Sequence, residues 1–245
     1  MRRPLFFLFI LILSLAAVFG LRHWYANEAM AIFWYDLQHD NRPFTSTEEV
    51  EIWLEAIPQV SWAELPSDFR SASGFRDKPF LSIAQERSFY RFTQDHFYQK
   101  IAGDNRLCDL LPHDAFYRSA VCNTDEAIYA LLDQRVLFKL LELQERLRTL
   151  DYDPTAFHIR SGPRYPSYNK QVGGASRSRH LYGEALDLRI GDINQDGHYT
   201  EEDKKIVLRI LDLEVIKHFG GVGRYPGTRA VHMDVRGYKA RWDDY

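Results

Sequence analysis

The sequence has no large excess of either charge, and its cysteine, glycine and proline counts are low. Its 31 Lys and Arg residues against 34 Asp and Glu residues give a formal net charge of −3. A chain so close to neutral has no basic stripe to bind phosphates, which argues against a nucleic-acid partner. The 14 Gly and 10 Pro residues are too few for a collagen-like or low-complexity protein. The 45% hydrophobic and 27% charged fractions indicate an ordinary globular protein rather than a disordered one.

The two cysteines, Cys108 and Cys122, lie 14 residues apart. In an oxidising compartment they would form a disulfide, which stabilises by roughly 3 kcal/mol for a loop of about 15 residues. The alternative is two separate buried thiols. The sequence favours the disulfide if the protein is exported.

The N-terminus combines two basic residues, Arg2 and Arg3, with an uncharged apolar run over residues 4–21. This run resembles the apolar part of a secretory signal. It also reaches the lower limit of about 17–25 residues for a membrane-spanning helix. Basic residues at the start place the remainder of the chain outside the cytoplasm. We therefore expect an exported protein, either periplasmic or anchored to the outer face of the cytoplasmic membrane.

The periodicity along the chain predicts an α+β fold in two parts. Residues 22–125 are rich in aromatic residues and are expected to form a mainly helical region, with two of its helices over residues 46–57 and 82–101. Residues 126–245 form the second part, with helices expected over 125–150 and 201–219. Alternating residues predict strands over 157–160, 185–190 and 231–236. We expect these strands to form a small antiparallel sheet, with helices packed on one face.

A possible metal site begins with His180 and Asp187, which are seven residues apart. Seven residues of continuous helix rise roughly 10 Å, which is too far for both side chains to bind one ion. Gly183 permits the bend that would bring them together. In the strand over 231–236, His232 alternates with apolar residues and faces the side away from the core.

Two imidazoles and one carboxylate are the donors of a catalytic zinc, since they leave a fourth position open to water. The alternative is a strand without metal. His232 would then bind a backbone carbonyl, and Asp187 would pair with Arg189 or Arg236.

The second part of the chain resembles peptidase family M15, the zinc D-Ala-D-Ala carboxypeptidases, which cut cell-wall peptides. The resemblance is carried by Ser161-Gly162-Pro163-Arg164, Tyr168-Asn169, Val172-Gly173-Gly174-Ala175, Ser178-x-His180-x-x-Gly183-x-Ala185-x-Asp187 and His232-x-Asp234. It implies that His180, Asp187 and His232 hold zinc. It also implies that Arg164 binds a substrate carboxylate or carbonyl oxygen, a role that suits a guanidinium.

The sequence departs from the family pattern at the general base. Some members carry a base two or three residues before the last zinc histidine, where this chain has Arg229 and Ala230. Asp234, on the same strand face as His232, is the remaining candidate for the catalytic base. Its alternative role is to orient His232 or to pair with Arg164. A smaller departure is Pro163, where an aromatic residue is usual.

Residues 192–203 resemble the calcium loop of EF-hands and dockerin repeats. The predicted Ca²⁺ ligands are Asp192, Asn194, Asp196, the carbonyl of His198, and Asp203. The alternative is an acidic turn followed by a helix cap, with Thr200 and Asp203 forming a capping box.

Together these features predict an exported zinc metallopeptidase that cleaves peptidoglycan stem peptides, as a carboxypeptidase or an endopeptidase. The expected cofactors are Zn²⁺ and Ca²⁺, and no partner protein is implied. The alternative is a zinc-containing module that binds cell wall or a partner without cleaving it, since the base at Asp234 is open to two interpretations.

Overall fold

The computed structural model describes residues 28–122 and 125–243, without the side chains of Glu28 and Cys122. Within these ranges, no helix has the length and apolar character needed to cross a bilayer. The predicted signal peptide or membrane anchor over residues 1–21 lies outside them. The α+β class predicted from the sequence is confirmed.

The described residues contain ten α-helices, one 3-10 helix and one π-helical turn. The α-helices are α1 (Glu28–Gln38), α2 (Thr47–Glu55), α3 (Ser67–Ala72), α4 (Phe80–Glu86), α5 (Gln94–Phe97), α6 (Leu107–Leu110), α7 (Ala115–Cys122), α8 (Gln134–Thr149), α9 (Pro166–Gln171) and α10 (Glu201–Ile210). The 3-10 helix spans Arg179–Tyr182, and the π turn spans Leu211–Val215.

Ten strands within the same ranges form three sheets. They are β1 (Gln59–Val60), β2 (Phe89–Phe92), β3 (Lys100–Ala102), β4 (Asn105–Arg106), β5 (Ile128–Ala130), β6 (Phe157–Ser161), β7 (Ala185–Ile190), β8 (Gly221–Arg224), β9 (Ala230–Asp234) and β10 (Ala240–Asp243). The strand orders are β1-β2-β5, β3-β4 and β10-β8-β9-β7-β6. The five-stranded sheet is antiparallel except for the parallel pair β10–β8.

The first part of the chain is less helical than predicted. The helix expected over residues 46–57 is confirmed as α2, where Ser46 Oγ accepts the Glu49 N–H at 3.3 Å. The helix expected over 82–101 is wrong, because β2 lies within that range and β3 begins at its end. Phe89 and Phe92 are both fully buried, since β2 is the central strand of its sheet. Aromatic residues are enriched in strands, which suits this buried position.

The two long helices of the second part are shorter than predicted. The helix expected over 125–150 begins at Gln134, because residues 128–130 form β5 on the edge of the first sheet and Asp133 caps α8. The helix expected over 201–219 ends with the π turn at Val215, and Lys217 then takes a φ of +53°. Both helices nevertheless keep their buried apolar faces.

The five-stranded sheet separates an apolar core from an open face. Leu186 and Leu188 of β7 and Val231 and Met233 of β9 are fully buried, and α10 packs against both strands. Alternation places the intervening residues of β7 and β9 on the opposite face. That face carries the predicted metal donors.

The predicted disulfide is not supported. Cys108 is buried in α6 at 3% exposure, and the described side chains contain no disulfide. The Cys122 side chain lies outside the described part, so the bridge to Cys108 stays a prediction.

Gly183 ends the 3-10 helix in the left-handed conformation, with a φ of +70°. A Cβ at this position would lie 2.3 Å from the Leu131 carbonyl oxygen. Gly173 has a similar φ of +72° with nothing within 4 Å of the same atom, so it is a matched control.

We expect Gly173→Ala to lower the free energy of unfolding by about 1–2 kcal/mol, the cost of a left-handed alanine. Gly183→Ala should lose a further 1–3 kcal/mol, roughly the cost of overpacking. Urea unfolding followed by circular dichroism measures both. Equal losses would contradict the close approach at Leu131.

Candidate metal centre

Three side chains from separate elements meet on the open face of the sheet. His180 comes from the 3-10 helix, Asp187 from β7 and His232 from β9. One donor atom from each lies within 4.8 Å of the other two, and all three residues are buried. The sequence prediction that these side chains converge is therefore confirmed.

His180 presents an unpaired lone pair to this cluster. Its Nδ1 lies 2.6 Å from the Gly162 carbonyl oxygen, which can only accept, so Nδ1 carries the proton. Its Nε2 is buried without a hydrogen-bond partner and lies 3.3 Å from Asp187 Oδ1. Burial lowers the pKa of His180, which keeps the ring neutral. A neutral imidazole whose lone pair has no hydrogen-bond partner can bind a metal ion.

His232 is held between two carboxylates. Its Nδ1 lies 2.9 Å from Asp187 Oδ1, and its Nε2 lies 3.1 Å from Asp234 Oδ2. Burial lowers the pKa of His232, but the hydrogen bonds to the two carboxylates outweigh burial and raise it. The Trp242 ring packs against the imidazole, with ring centroids 4.9 Å apart.

Asp187 is the acid at the centre of the cluster. Burial raises its pKa, but the imidazoles of His180 and His232 outweigh burial and hold the pKa well below its usual range. Arg164 Nη2 donates to Asp187 Oδ2 at 2.5 Å, and the Tyr225 hydroxyl donates to Oδ1 at 3.4 Å. The carboxylate is therefore ionised and ready to bind a cation.

The donor set fits zinc. Two imidazole nitrogens and one carboxylate oxygen suit Zn²⁺, whereas Ca²⁺ and Mg²⁺ prefer oxygen ligands throughout. The buried, unpartnered Nε2 of His180 is the observation that supports a metal most directly, since a buried polar atom normally has a partner.

Arg164 is fixed beside these donors. Its Nε donates to Ser161 Oγ at 2.9 Å, and its backbone N–H donates to the His180 carbonyl at 2.9 Å. Its Nη1 has no partner among the described residues, so this group is available to a ligand.

Asp234 is enclosed behind His232. It is 0% exposed, and its oxygens accept hydrogen bonds from His232, from the Gly221 N–H at 2.9 Å and from the backbone and guanidinium of Arg236. Burial raises its pKa, but His232 and Arg236 outweigh burial and lower it. It does not line the cleft in front of the cluster. The geometry thus favours the orienting role over that of a catalytic base.

A cleft of about 610 Å³ opens in front of the donors. Its wall includes Tyr225 and Trp242, which the sequence analysis did not single out, beside the predicted Arg164. Tyr225 directly follows β8, the neighbour of the His232 strand. The sequence pattern that could have identified Tyr225 is an aromatic residue directly after a strand that neighbours a predicted ligand strand.

The acidic loop over 192–203 forms a helix cap. Asp203 is fully buried; one of its oxygens accepts the N–H groups of Ile193 and Asn194, and the other accepts the backbone N–H and the hydroxyl O–H of Thr200. The capping box of Thr200 and Asp203 is thus confirmed.

The predicted calcium site is not supported. Asp192 and Asp196 likewise accept backbone N–H groups of the loop, and Asn194 donates to Asp196. Among the described residues, His, Cys, Asp and Glu donors gather as a possible metal cluster only around His180. The Asp203 carboxylate that should close the calcium shell already binds N–H groups on both oxygens.

Comparison with known proteins gives one family match. Residues 118–234 match a family model described as Peptidase M15. The matched range contains His180, Asp187 and His232 and ends at Asp234. A comparison with curated proteins gave no significant match. The family match supports the resemblance to M15 peptidases found in the sequence.

Replacing Asp234 with Asn tests its orienting role. We expect zinc affinity to fall about 10- to 100-fold, because the carboxylate behind a metal-binding histidine fixes its orientation and basicity. Competition with a chromophoric chelator measures the affinity, with circular dichroism as a check on folding. Asp212→Asn, which removes a carboxylate from Arg241 instead, is the control. Unchanged affinity together with lost peptide cleavage would identify Asp234 as the proton acceptor.

Replacing Asp203 with Asn tests the helix cap. Burial raises the pKa of Asp203, but backbone N–H donors outweigh burial and lower it. We expect Asp203→Asn to lose about 1–3 kcal/mol of unfolding free energy at neutral pH. A lowered pKa means that the carboxylate stabilises the fold above about pH 4 and loses this effect as the pH falls further.

The difference from wild type should therefore shrink in acid, as measured by urea unfolding between neutral pH and pH 3. Glu202→Gln, at the exposed neighbouring position, should change stability by less than about 0.5 kcal/mol. A difference that is independent of pH would contradict a role for the charge of Asp203.

Proposed function

We propose that this protein is a zinc peptidase that acts on peptides of the bacterial cell wall. The proposal rests on the N2O donor cluster, and above all on the buried, unpartnered Nε2 of His180. The Peptidase M15 match over residues 118–234 supports a peptidase. The proposed substrate is based on the resemblance to the M15 family, whose members cut cell-wall peptides.

His180 Nε2, Asp187 Oδ1 and His232 Nδ1 would hold the zinc. A zinc ion with such ligands polarises carbonyl groups and lowers the pKa of water to about 7. The chain supplies the orientation of both rings, through the Gly162 carbonyl behind His180 and the Asp234 carboxylate behind His232.

Arg164 would bind the substrate oxygen. Arg164 lines the cleft, and its Nη1 has no partner among the described residues, while Ser161 and Asp187 fix the remainder of the guanidinium. A fixed cation at this place stabilises an oxyanion or a terminal carboxylate at little cost in reorganisation.

Tyr225 is our candidate for a second group that contacts substrate. Tyr225 and Asp187 both line the cleft, and the Tyr225 hydroxyl lies 3.4 Å from Asp187 Oδ1. A phenol there donates a hydrogen bond to a substrate oxygen, or exchanges a proton with it. Tyr225 therefore lies on the open side of the donor cluster, and Asp234 lies on its enclosed side.

One observation favours the second candidate, a zinc module that binds wall peptide without cleaving it. Asp187 is the one carboxylate in the cleft wall, as far as the described residues show. A metallopeptidase usually has a further carboxylate or histidine as base. Product analysis separates the two candidates.

Export is part of the proposal, either to the periplasm or to the outer face of the cytoplasmic membrane. It rests on the basic and apolar N-terminal sequence over residues 2–21. A cell-wall substrate requires this location.

Replacing His180 with Ala tests the proposed function. We expect both zinc content and cleavage to be lost, because one of three donors is removed. Metal analysis measures the first, and mass spectrometry of digested peptidoglycan measures the second. His158→Ala, an exposed histidine of β6 outside the cleft wall, should change neither. Normal digestion by His180→Ala would overturn the proposed mechanism. If zinc-loaded wild type releases no product, the protein is instead the second candidate, a zinc module that binds wall peptide without cleaving it.

A further inference from the structure

The cleft wall carries more positive charge than its own acids neutralise. Five arginines line it: Arg160, Arg164, Arg177, Arg179 and Arg236. Three of these have a carboxylate partner: Arg164 pairs with Asp187, Arg179 with Glu184, and Arg236 with Asp234. The side chains of Arg160 and Arg177 have no hydrogen-bond or ion-pair partner among the described residues. Two guanidinium charges in the cleft are therefore unmatched.

A β-bulge brings Arg160 to the cleft. In the pairing of β6 with β7, Ile159 lies opposite Leu188 and Ser161 opposite Asp187, so Arg160 is the extra residue. A bulge re-aims the side chain of the inserted residue, and both Arg160 and Ser161 line the cleft. Strict alternation would have placed these two neighbours on opposite faces.

Arg177 reaches the same cleft from another element. It lies in the segment between α9 and the 3-10 helix that carries His180, and its side chain is exposed. The two unmatched guanidinium groups thus come from separate segments, β6 and the segment before the 3-10 helix, that both line the cleft.

Unmatched charges in a concave wall attract anions, because the low-dielectric surroundings focus their field. The planar fork of a guanidinium fits a carboxylate with two parallel hydrogen bonds. Each unmatched arginine can therefore bind one carboxylate of a ligand while Arg164 remains beside the metal donors.

We propose that Arg160 and Arg177 determine specificity by binding two carboxylates of an anionic peptide, besides the group that contacts Arg164. The peptide nature of the ligand rests on the proposed function. The anionic preference rests on the unmatched arginines alone. A peptide whose carboxylates are converted to amides should therefore be a poor ligand.

The test compares two synthetic peptides on the zinc-loaded full chain. One is a stem pentapeptide that ends in D-Ala-D-Ala and carries a free glutamate carboxylate. The other is the same peptide with the glutamate and C-terminal carboxylates as carboxamides. Calorimetry gives Kd, mass spectrometry monitors products, and KM with kcat replaces Kd for any peptide that is cut.

We expect Arg160→Gln and Arg177→Gln each to weaken binding of the acid peptide about tenfold, which is the usual effect of losing a charge-assisted hydrogen bond. Binding of the amide peptide should not change, and kcat should stay within about twofold of wild type. Arg189→Gln, which removes an exposed arginine of β7 outside the cleft wall, should have no effect on either peptide.

The outcomes separate this inference from the proposed function. If wild type binds the acid peptide more tightly through Arg160 and Arg177 but cuts neither peptide, the peptidase proposal fails and the anionic specificity holds. If wild type and both variants treat acid and amide peptides alike, the specificity inference is overturned, whether or not cleavage occurs.

Discussion

The register between β7 and β9 is the constraint on which the candidate site depends. Asp187 and His232 are direct partners in this antiparallel pairing. Shifting one strand by a single residue would turn its apolar residues toward the cleft and its donors toward the core. The register is enforced from the other face, where Leu186 and Met233 are paired and fully buried. The hydrophobic core thereby places two metal donors side by side, and the metal itself need not specify their approach.

Support behind the donors completes what the register begins. The two histidines offer different nitrogens to the cluster, Nε2 from His180 and Nδ1 from His232, because different groups bind the opposite nitrogen of each ring. For His232 that group is the charged Asp234, which in turn is neutralised by Arg236. A buried carboxylate without such a partner would be strongly unfavourable, by roughly 3–5 kcal/mol. Arg236 is thus structural, whereas Arg160 and Arg177 add charge that no carboxylate of the wall balances.

The sequence predicts those parts of the site that depend on local pattern. Strand β7 was predicted with its correct limits, and the alternation around Asp187 and His232 indicated their common face. Two features depend on tertiary context instead. The bulge at Arg160 depends on which residue of β7 faces which residue of β6. The sequence of one strand does not determine this pairing register. The helix expected over 82–101 was wrong because burial on both faces, as in β2, removes the alternation that identifies a strand.

The acidic loop supports the candidate site through its hydrogen bonds, and this support does not require calcium. Its oxygen pattern suits backbone N–H groups as well as a cation, and Asp203 uses both oxygens to hold the loop and the start of α10. One residue later, the fully buried Lys204 donates to the carbonyl oxygens of Tyr225 and Thr228, at 2.9 and 2.7 Å. The turn fixed in this way carries the Tyr225 hydroxyl to Asp187. A buried ammonium without hydrogen-bond acceptors is unfavourable. If this turn moved away from α10, the Lys204 ammonium would either lose its acceptors or become exposed. The cap at Asp203 therefore positions one wall of the cleft through Lys204, which links the loop to the proposed chemistry.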